Sequence, residues 1–268
     1  MEHPVVLMES FSRSGETVFQ RTLEAHSRIH IVHDLKLKNT KEEVELYKFL
    51  RSFEAADIPA DATVLAPFNL RPGTFLLFKN AVWLPRKRQS RSFVLVRNPF
   101  SVALSAGVVG ESHQRAKANK RIILRWASGI APELCAWINY TDNLTALLVL
   151  WNIKMSAAMA VRRPVLHYER FVSDPVLWSR RLLEALGLPW EPAVARAHER
   201  YASDAIGHGR IRLGEPIHAK SLDSYRRLSA AAFDRILALT YPVLHQCGYE
   251  THERVVRVSP DFPDGLSE

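Results

Sequence analysis

Short runs rich in Val, Ile, Leu and Phe alternate along the chain with longer stretches whose apolar residues recur every three or four positions. The short runs predict strands at 4–8, 29–32, 75–78, 93–96 and 165–168, each continuous enough in apolar residues to be buried on both faces. The longer stretches predict helices at 17–25, 41–53, 101–109, 132–161, 175–186, 192–201 and 230–246. Strands that alternate with helices specify an α/β protein: a three-layer sandwich with a central parallel sheet between helices. Residues 109–130 are polar and basic and read as a mobile connection or lid. Residues 258–268, rich in Pro, Asp, Ser and Gly, read as a loose tail after a single domain spanning 1–257.

Composition narrows the class. A chain of 268 residues with 47% hydrophobic residues can bury a sizeable core, which excludes a disordered or fibrous protein. Its two cysteines, Cys135 and Cys247, match no metal-ligand spacing and favour a reducing cytoplasm. The first residues lack the pattern of a secretory signal, and the apolar run 144–151 is too short to span a bilayer, so no membrane partner is expected. A formal net charge of +8 favours anionic partners. The cluster Arg86-Lys87-Arg88 with Arg91 reads as a solvated loop. No recognition helix, zinc finger or aromatic RNA-binding signature accompanies the charge, which argues against nucleic acid.

Two segments carry candidate chemistry. The first strand runs into Ser10-Phe11-Ser12-Arg13-Ser14-Gly15-Glu16-Thr17 and then a helix, so backbone N–H groups and the positive end of a helix dipole can face a phosphate. An ordinary serine-capped turn has the same outline. A small-molecule kinase would need an early glycine and a Gly-Lys-Ser/Thr ending, and this chain has Gly15-Glu16-Thr17. The strand at 93–96 leads into Arg97-Asn98-Pro99, with Ser105 eight positions after the arginine and about two helical turns on, where a guanidinium and a hydroxyl can converge on a second phosphate.

The loop Arg13-Ser14-Gly15-x-Thr17 and the segment Val96-Arg97-Asn98-Pro99…Ser105 resemble the two nucleotide-binding motifs of sulfotransferases. The stretch Tyr168-Glu169-Arg170-Phe171 with Asp174-Pro175 and the phrase Leu186-Gly187-Leu188-Pro189-Trp190 are similar to further phrases of that family. The resemblance extends from Val5 to about Arg227 and is nearest in register to the tyrosylprotein and carbohydrate branch. It implies a P-loop NTPase-like sulfotransferase fold. It also implies transfer of a sulfuryl group from 3′-phosphoadenosine 5′-phosphosulfate to a hydroxyl of a carbohydrate or small-molecule acceptor, without a metal. By the same resemblance Arg13, Ser14, Gly15 and Thr17 hold the 5′-phosphosulfate, Arg97 and Ser105 the 3′-phosphate, Tyr168 contacts adenine, and Lys220 supplies a second phosphate cation.

Lys79, directly after the strand at 75–78, falls where the family stabilises transferred charge. The histidine base found two residues later in cytosolic members is here Ala81. A glutamate base lies 21 residues after the loop arginine in the other branch, and that register gives Asp34, preceded by His33. Glu16 replaces the usual Ser or Thr and would repel a phosphate. Glu16 and Ala81 keep open a second reading, a nucleotide-binding protein that has lost turnover. Acceptor identity and oligomeric state are not specified by these motifs.

Overall fold

The computed structural model describes residues 2–32, 39–53, 55–85, 91–207 and 211–266. The chain begins with β1 (Glu2–Ser10), α1 (Glu16–Glu24), β2 (Ile29–Val32), α2 (Lys41–Ser52), β3 (Asp57–Pro59), β4 (Phe75–Asn80) and β5 (Arg91–Val96). It continues with α3 (Pro99–Ala106), α4 (His113–Ile130), α5 (Cys135–Tyr140), α6 (Asn143–Ala160), β6 (Val165–His167), α7 (Tyr168–Ser173), α8 (Pro175–Ala185) and α9 (Pro192–Ala195). It closes with α10 (Ala230–Gln246) and a hairpin, β7 (Tyr249–His252) and β8 (Val255–Val258).

The central sheet has the order β2-β4-β1-β5-β6, all neighbours parallel, with β3 antiparallel to the start of β1. Each strand sends alternate side chains to opposite faces. Thus Val6 and Met8 of β1 pack with Phe19 and Leu23 of α1 and with α7 and α8. Val5 and Leu7 pack with Leu46 and Leu50 of α2, and Val94 and Val96 of β5 pack with α3, α4, α6 and α10. Helices cover both faces, so the three-layer parallel architecture expected from the alternation is the observed one.

The segment expected as a lid is instead an eighteen-residue helix, α4. Arg115, Lys117, Arg121 and Arg125 are exposed, Lys120 donates to the Ile138 and Thr141 carbonyls, and Ile123, Trp126, Ala127 and Ile130 are buried. Ser112 caps it, and the Asn119 amide donates to the Gly107 carbonyl at 3.0 Å and to Glu111 at 2.7 Å, which fixes the turn before it. The single helix expected over 132–161 is broken: Asp142 accepts from the Thr145 N–H at 3.0 Å and starts α6 afresh. Helix α6 is long and apolar enough to cross a membrane by composition. Its apolar side chains are used in the core, Leu147, Leu148, Leu150 and Trp151 being fully buried.

Residues 259–266, expected as a loose tail, are packed. The Asp264 carbonyl accepts from the Val165 N–H at 2.7 Å, its carboxylate pairs with Arg170 at 2.9 Å, and Leu266 is buried. Prolines and glycines there shape a turn that extends the contacts of β6. Of the two cysteines, Cys247 is fully buried at the end of α10, where burial pushes its thiol well above the ordinary range, and Cys135 is partly exposed at the start of α5.

Candidate functional site

In an open parallel sheet the crevice forms at the carboxyl ends of strands on either side of which the chain runs in opposite directions. Here β1 is that central strand: β1-α1-β2 runs to one side, and β5 and β6 lie on the other. At this place opens a cleft of about 290 Å³. The loop after β1, Lys79 at the end of β4, Arg97 just after β5, Ser105 near the end of α3 and the α4 residues Ile122 and Trp126 line it.

The loop has a strained path. Arg13 takes φ 79°, a conformation that costs a non-glycine residue on the order of 1 kcal/mol. Gly15, with φ 93°, opens α1 with no side-chain cap. A Cβ on Gly15 would stand 2.2 Å from Tyr168 Cε2, so only glycine lets the loop lie against that ring. Tyr168 is the first residue of α7. The Arg97 guanidinium lies 4.4 Å from the centre of its ring, and its hydroxyl and Ser221 Oγ share a hydrogen bond of 3.1 Å. One side chain therefore locks the loop after β1, the Arg97 guanidinium after β5 and the turn Ala219–Ser221. The adenine-facing surface expected of Tyr168 is in part taken by Arg97.

Arg97 also donates from Nη1 to the Arg13 carbonyl at 3.2 Å. Among the described residues, Arg13 Nε, Ser14 Oγ and Arg97 Nε are buried without a hydrogen-bond partner. Buried polar atoms left unpaired cost about 1–3 kcal/mol each, so a cluster of such donors marks a place built for an acceptor-rich group. Arg13, Gly15, Thr17, Lys79, Arg97, Ser105 and Tyr168 all line the cleft, and Ser14 lies buried in the loop itself. Lys220 does not join them: it is exposed on the turn Ala219–Ser221, whose contact with the site is made by Ser221. Asp34 and His33 lie outside the described residues.

Glu16 is buried and lines the cleft, its carboxylate accepting from Ser10 Oγ at 3.4 Å. Glu16→Thr is expected to raise affinity for an anionic nucleotide a few-fold, because it removes a negative charge and restores a hydroxyl. Calorimetric titration checks this. A variant that no longer binds would mean that the carboxylate, through Ser10, holds the loop in shape.

Two further groups have no role assigned from the sequence, although Glu169 lies within the family-like phrase that begins at Tyr168. Glu169 accepts from the Asn98 backbone N–H at 3.1 Å and side-chain amide at 2.6 Å, and from the Tyr249 hydroxyl at 2.7 Å, so it clamps the segment after Arg97 to α7 and β7. At the end of β1, on the face opposite Lys79, Glu9 pairs with Lys154 of α6, both buried, and accepts from the Asn80 amide at 2.9 Å. Lys154 donates also to the Trp83 carbonyl at 2.6 Å, and the Trp83 N–H donates to Asn80 Oδ1 at 3.2 Å. Burial pushes the Lys154 ammonium down from its ordinary value and Glu9 opposes the shift. This network joins the ends of β1 and β4, from which the Ser12–Gly15 loop and Lys79 emerge. Arg21 of α1 ties down another wall, donating from Nη1 to the Leu213 carbonyl at 2.8 Å and the Glu215 carbonyl at 2.7 Å.

No family model matches the sequence. One curated relative, protein-tyrosine sulfotransferase 1 of Danio rerio, is 29% identical over 93 residues, which are 32% of this chain. That match spans about a quarter, 26%, of the relative's own length. Solved structures align over far more. The sulfotransferase domain from the curacin biosynthetic pathway superposes with a TM-score of 0.62 at 15% identity, over 94% of this chain and 99% of its own. The sulfotransferase domain of the Synechococcus PCC 7002 olefin synthase gives 0.57 at 15% identity, over 94% and 98%. Mouse sulfotransferase SULT7A1, complexed with PAP, gives 0.51 at 11% identity, over 90% and 84%.

Proposed function

The chain has the sulfotransferase fold, and from that premise we propose that it transfers a sulfuryl group from 3′-phosphoadenosine 5′-phosphosulfate to the hydroxyl of a small-molecule or carbohydrate acceptor. The observation that carries this reading is the meeting of Arg13, Arg97 and Lys79 in one cleft with buried, unpartnered donors in the loop beneath. One cation-lined end suits the 5′-phosphosulfate; Arg97 with Ser105 suits a second, 3′-phosphate.

In the reaction the acceptor oxygen attacks sulfur while the bond from sulfur to the 5′-phosphate oxygen breaks. The acceptor proton passes to a base, and adenosine 3′,5′-bisphosphate leaves with the electron pair. Lys79 stabilises charge growing on the bridging oxygen, and Arg13 and the loop N–H groups hold the phosphate. By sequence register the base is Asp34, with His33 its neighbour. No step requires a metal. The burial of Glu16 in the cleft favours a second reading, a nucleotide binder without turnover, which transfer from labelled donor decides.

Adenosine 3′,5′-bisphosphate is expected to bind about 30-fold tighter than adenosine 5′-monophosphate, corresponding to about 2 kcal/mol for a charge-assisted contact. Calorimetry with both nucleotides, and thermal stabilisation against ATP with magnesium, test this. Equal affinities would remove the assignment of Arg97 and Ser105.

A further inference from the structure

A separate pocket, of about 150 Å³, opens beside the second half of α1 and shares no lining residue with the nucleotide cleft. Arg21 and Thr22 of α1, Val176 of α8, Val194 of α9, His198 and Ile217 line it. We infer that this pocket binds a small carboxylate with a short apolar tail, the carboxylate on Arg21 and the tail against Val176, Val194 and Ile217. Its ligand is neither the donor nor the acceptor, so the inference stands apart from the reading of the larger cleft.

Arg21 is 3% exposed, a state that an arginine in a folded protein reaches almost only when paired. No described carboxylate pairs with it. Glu24, one turn further along α1, accepts from the Tyr201 hydroxyl, and Glu215 pairs with Arg212 at 2.9 Å. The groups that hold Arg21 are neutral: Nη1 donates to the Leu213 and Glu215 carbonyls, which fixes the guanidinium in place, while its Nε–H is buried without a partner. Burial pushes the guanidinium down from its ordinary value. A buried charge without a counterion is costly, and a fixed cation with unused donor capacity on a pocket wall is completed by an anion.

The walls choose among anions. Among the described residues no acidic side chain lines the pocket, so nothing there repels a negative charge. A carboxylate matches the planar guanidinium and brings one charge to one cation. Phosphate or sulfate would bring more charge and no apolar part, leaving Val176, Val194 and Ile217 against water. A space of about 150 Å³ takes a group the size of a six-carbon ring, which sets the tail at about four to six carbons.

The test titrates the full chain with hexanoate by calorimetry, alone and with saturating adenosine 3′,5′-bisphosphate, against 1-hexanol, hexylamine and inorganic phosphate as comparison probes. Hexanoate is expected to bind about tenfold or more tighter than each comparison probe, and equally well with and without the bisphosphate. Arg21→Gln is expected to abolish hexanoate binding. Val176→Asp places a negative charge on the pocket wall, in the first turn of α8 where a helix favours an acid, and is expected to weaken hexanoate about tenfold or more while bisphosphate affinity holds. Val176 is 39% exposed, so this variant keeps the test valid should Arg21→Gln fail to fold. No saturable binding of hexanoate, equal or tighter binding of a comparison probe, displacement of hexanoate by the bisphosphate, or unchanged hexanoate affinity in Val176→Asp would overturn the inference. A protein that binds hexanoate with the expected selectivity but not the bisphosphate would support the pocket and overturn the donor reading alone.

Discussion

Lys79→Ala is expected to lower sulfuryl transfer by about 10²–10³-fold while adenosine 3′,5′-bisphosphate affinity stays within a few-fold. The expectation follows from where the residue stands. Lys79 pairs in register with Met8 at the end of β1, so its side chain leaves the sheet on the same face as the loop that follows. It is nearly buried, where a positive charge is screened less than in water. An ammonium placed at a bridging oxygen gains most when that oxygen takes up the electron pair, so its loss should appear in kcat and not in nucleotide binding. Single-turnover transfer alongside calorimetry separates the two. An equal fall in both would make Lys79 a binding residue only. The same assay on Asp34→Asn and His33→Ala identifies which of the pair takes the proton.

Loss of Lys154 is expected to act on the fold. Lys154→Met leaves the Glu9 carboxylate buried without its counterion, a situation that costs about 3–5 kcal/mol. Removing both charges with Glu9→Gln/Lys154→Met should recover most of that loss, since two neutral groups of similar size do not need each other. Urea unfolding of the two single variants and the double variant gives the coupling directly. Simple addition of the two single losses would show that the pair contributes nothing as a pair.

The central strands are legible in the sequence because parallel strands covered on both faces must be apolar throughout, and Phe93-Val94-Leu95-Val96 has no other reading in a chain this size. Helix α4 is hidden because Arg115, Lys117, Lys120 and Arg121 crowd its first turns, while the buried stripe Asn119, Ile123, Trp126, Ala127 and Ile130 keeps the helical spacing. The strand Asp57–Pro59 is too short to leave a pattern, and the β7–β8 hairpin turns on Glu253 and Arg254, both at positive φ, without the glycine or asparagine that would announce it. Within the site, the loop and the segment from Arg97 to Ser105 are legible because each is local, a strand end followed by a helix start. The Glu9–Lys154 pair joins positions 145 residues apart and has no local signature. The resemblance places a phosphate cation at Lys220, but the turn presents Ser221 to Tyr168 and leaves the lysine in solvent.

The unequal placement of the two cysteines has a practical side. A thiol reagent acts on the thiolate, so in the native protein it meets the partly exposed Cys135 while Cys247 stays protonated and enclosed among residues of α3, α6 and α10. Reaching the second thiol requires those helices to separate from the sheet, which makes its labelling rate a gauge of how often that half of the core opens. Probe and gauge are thus built into one chain, and neither belongs to the cleft in which the nucleotide would bind.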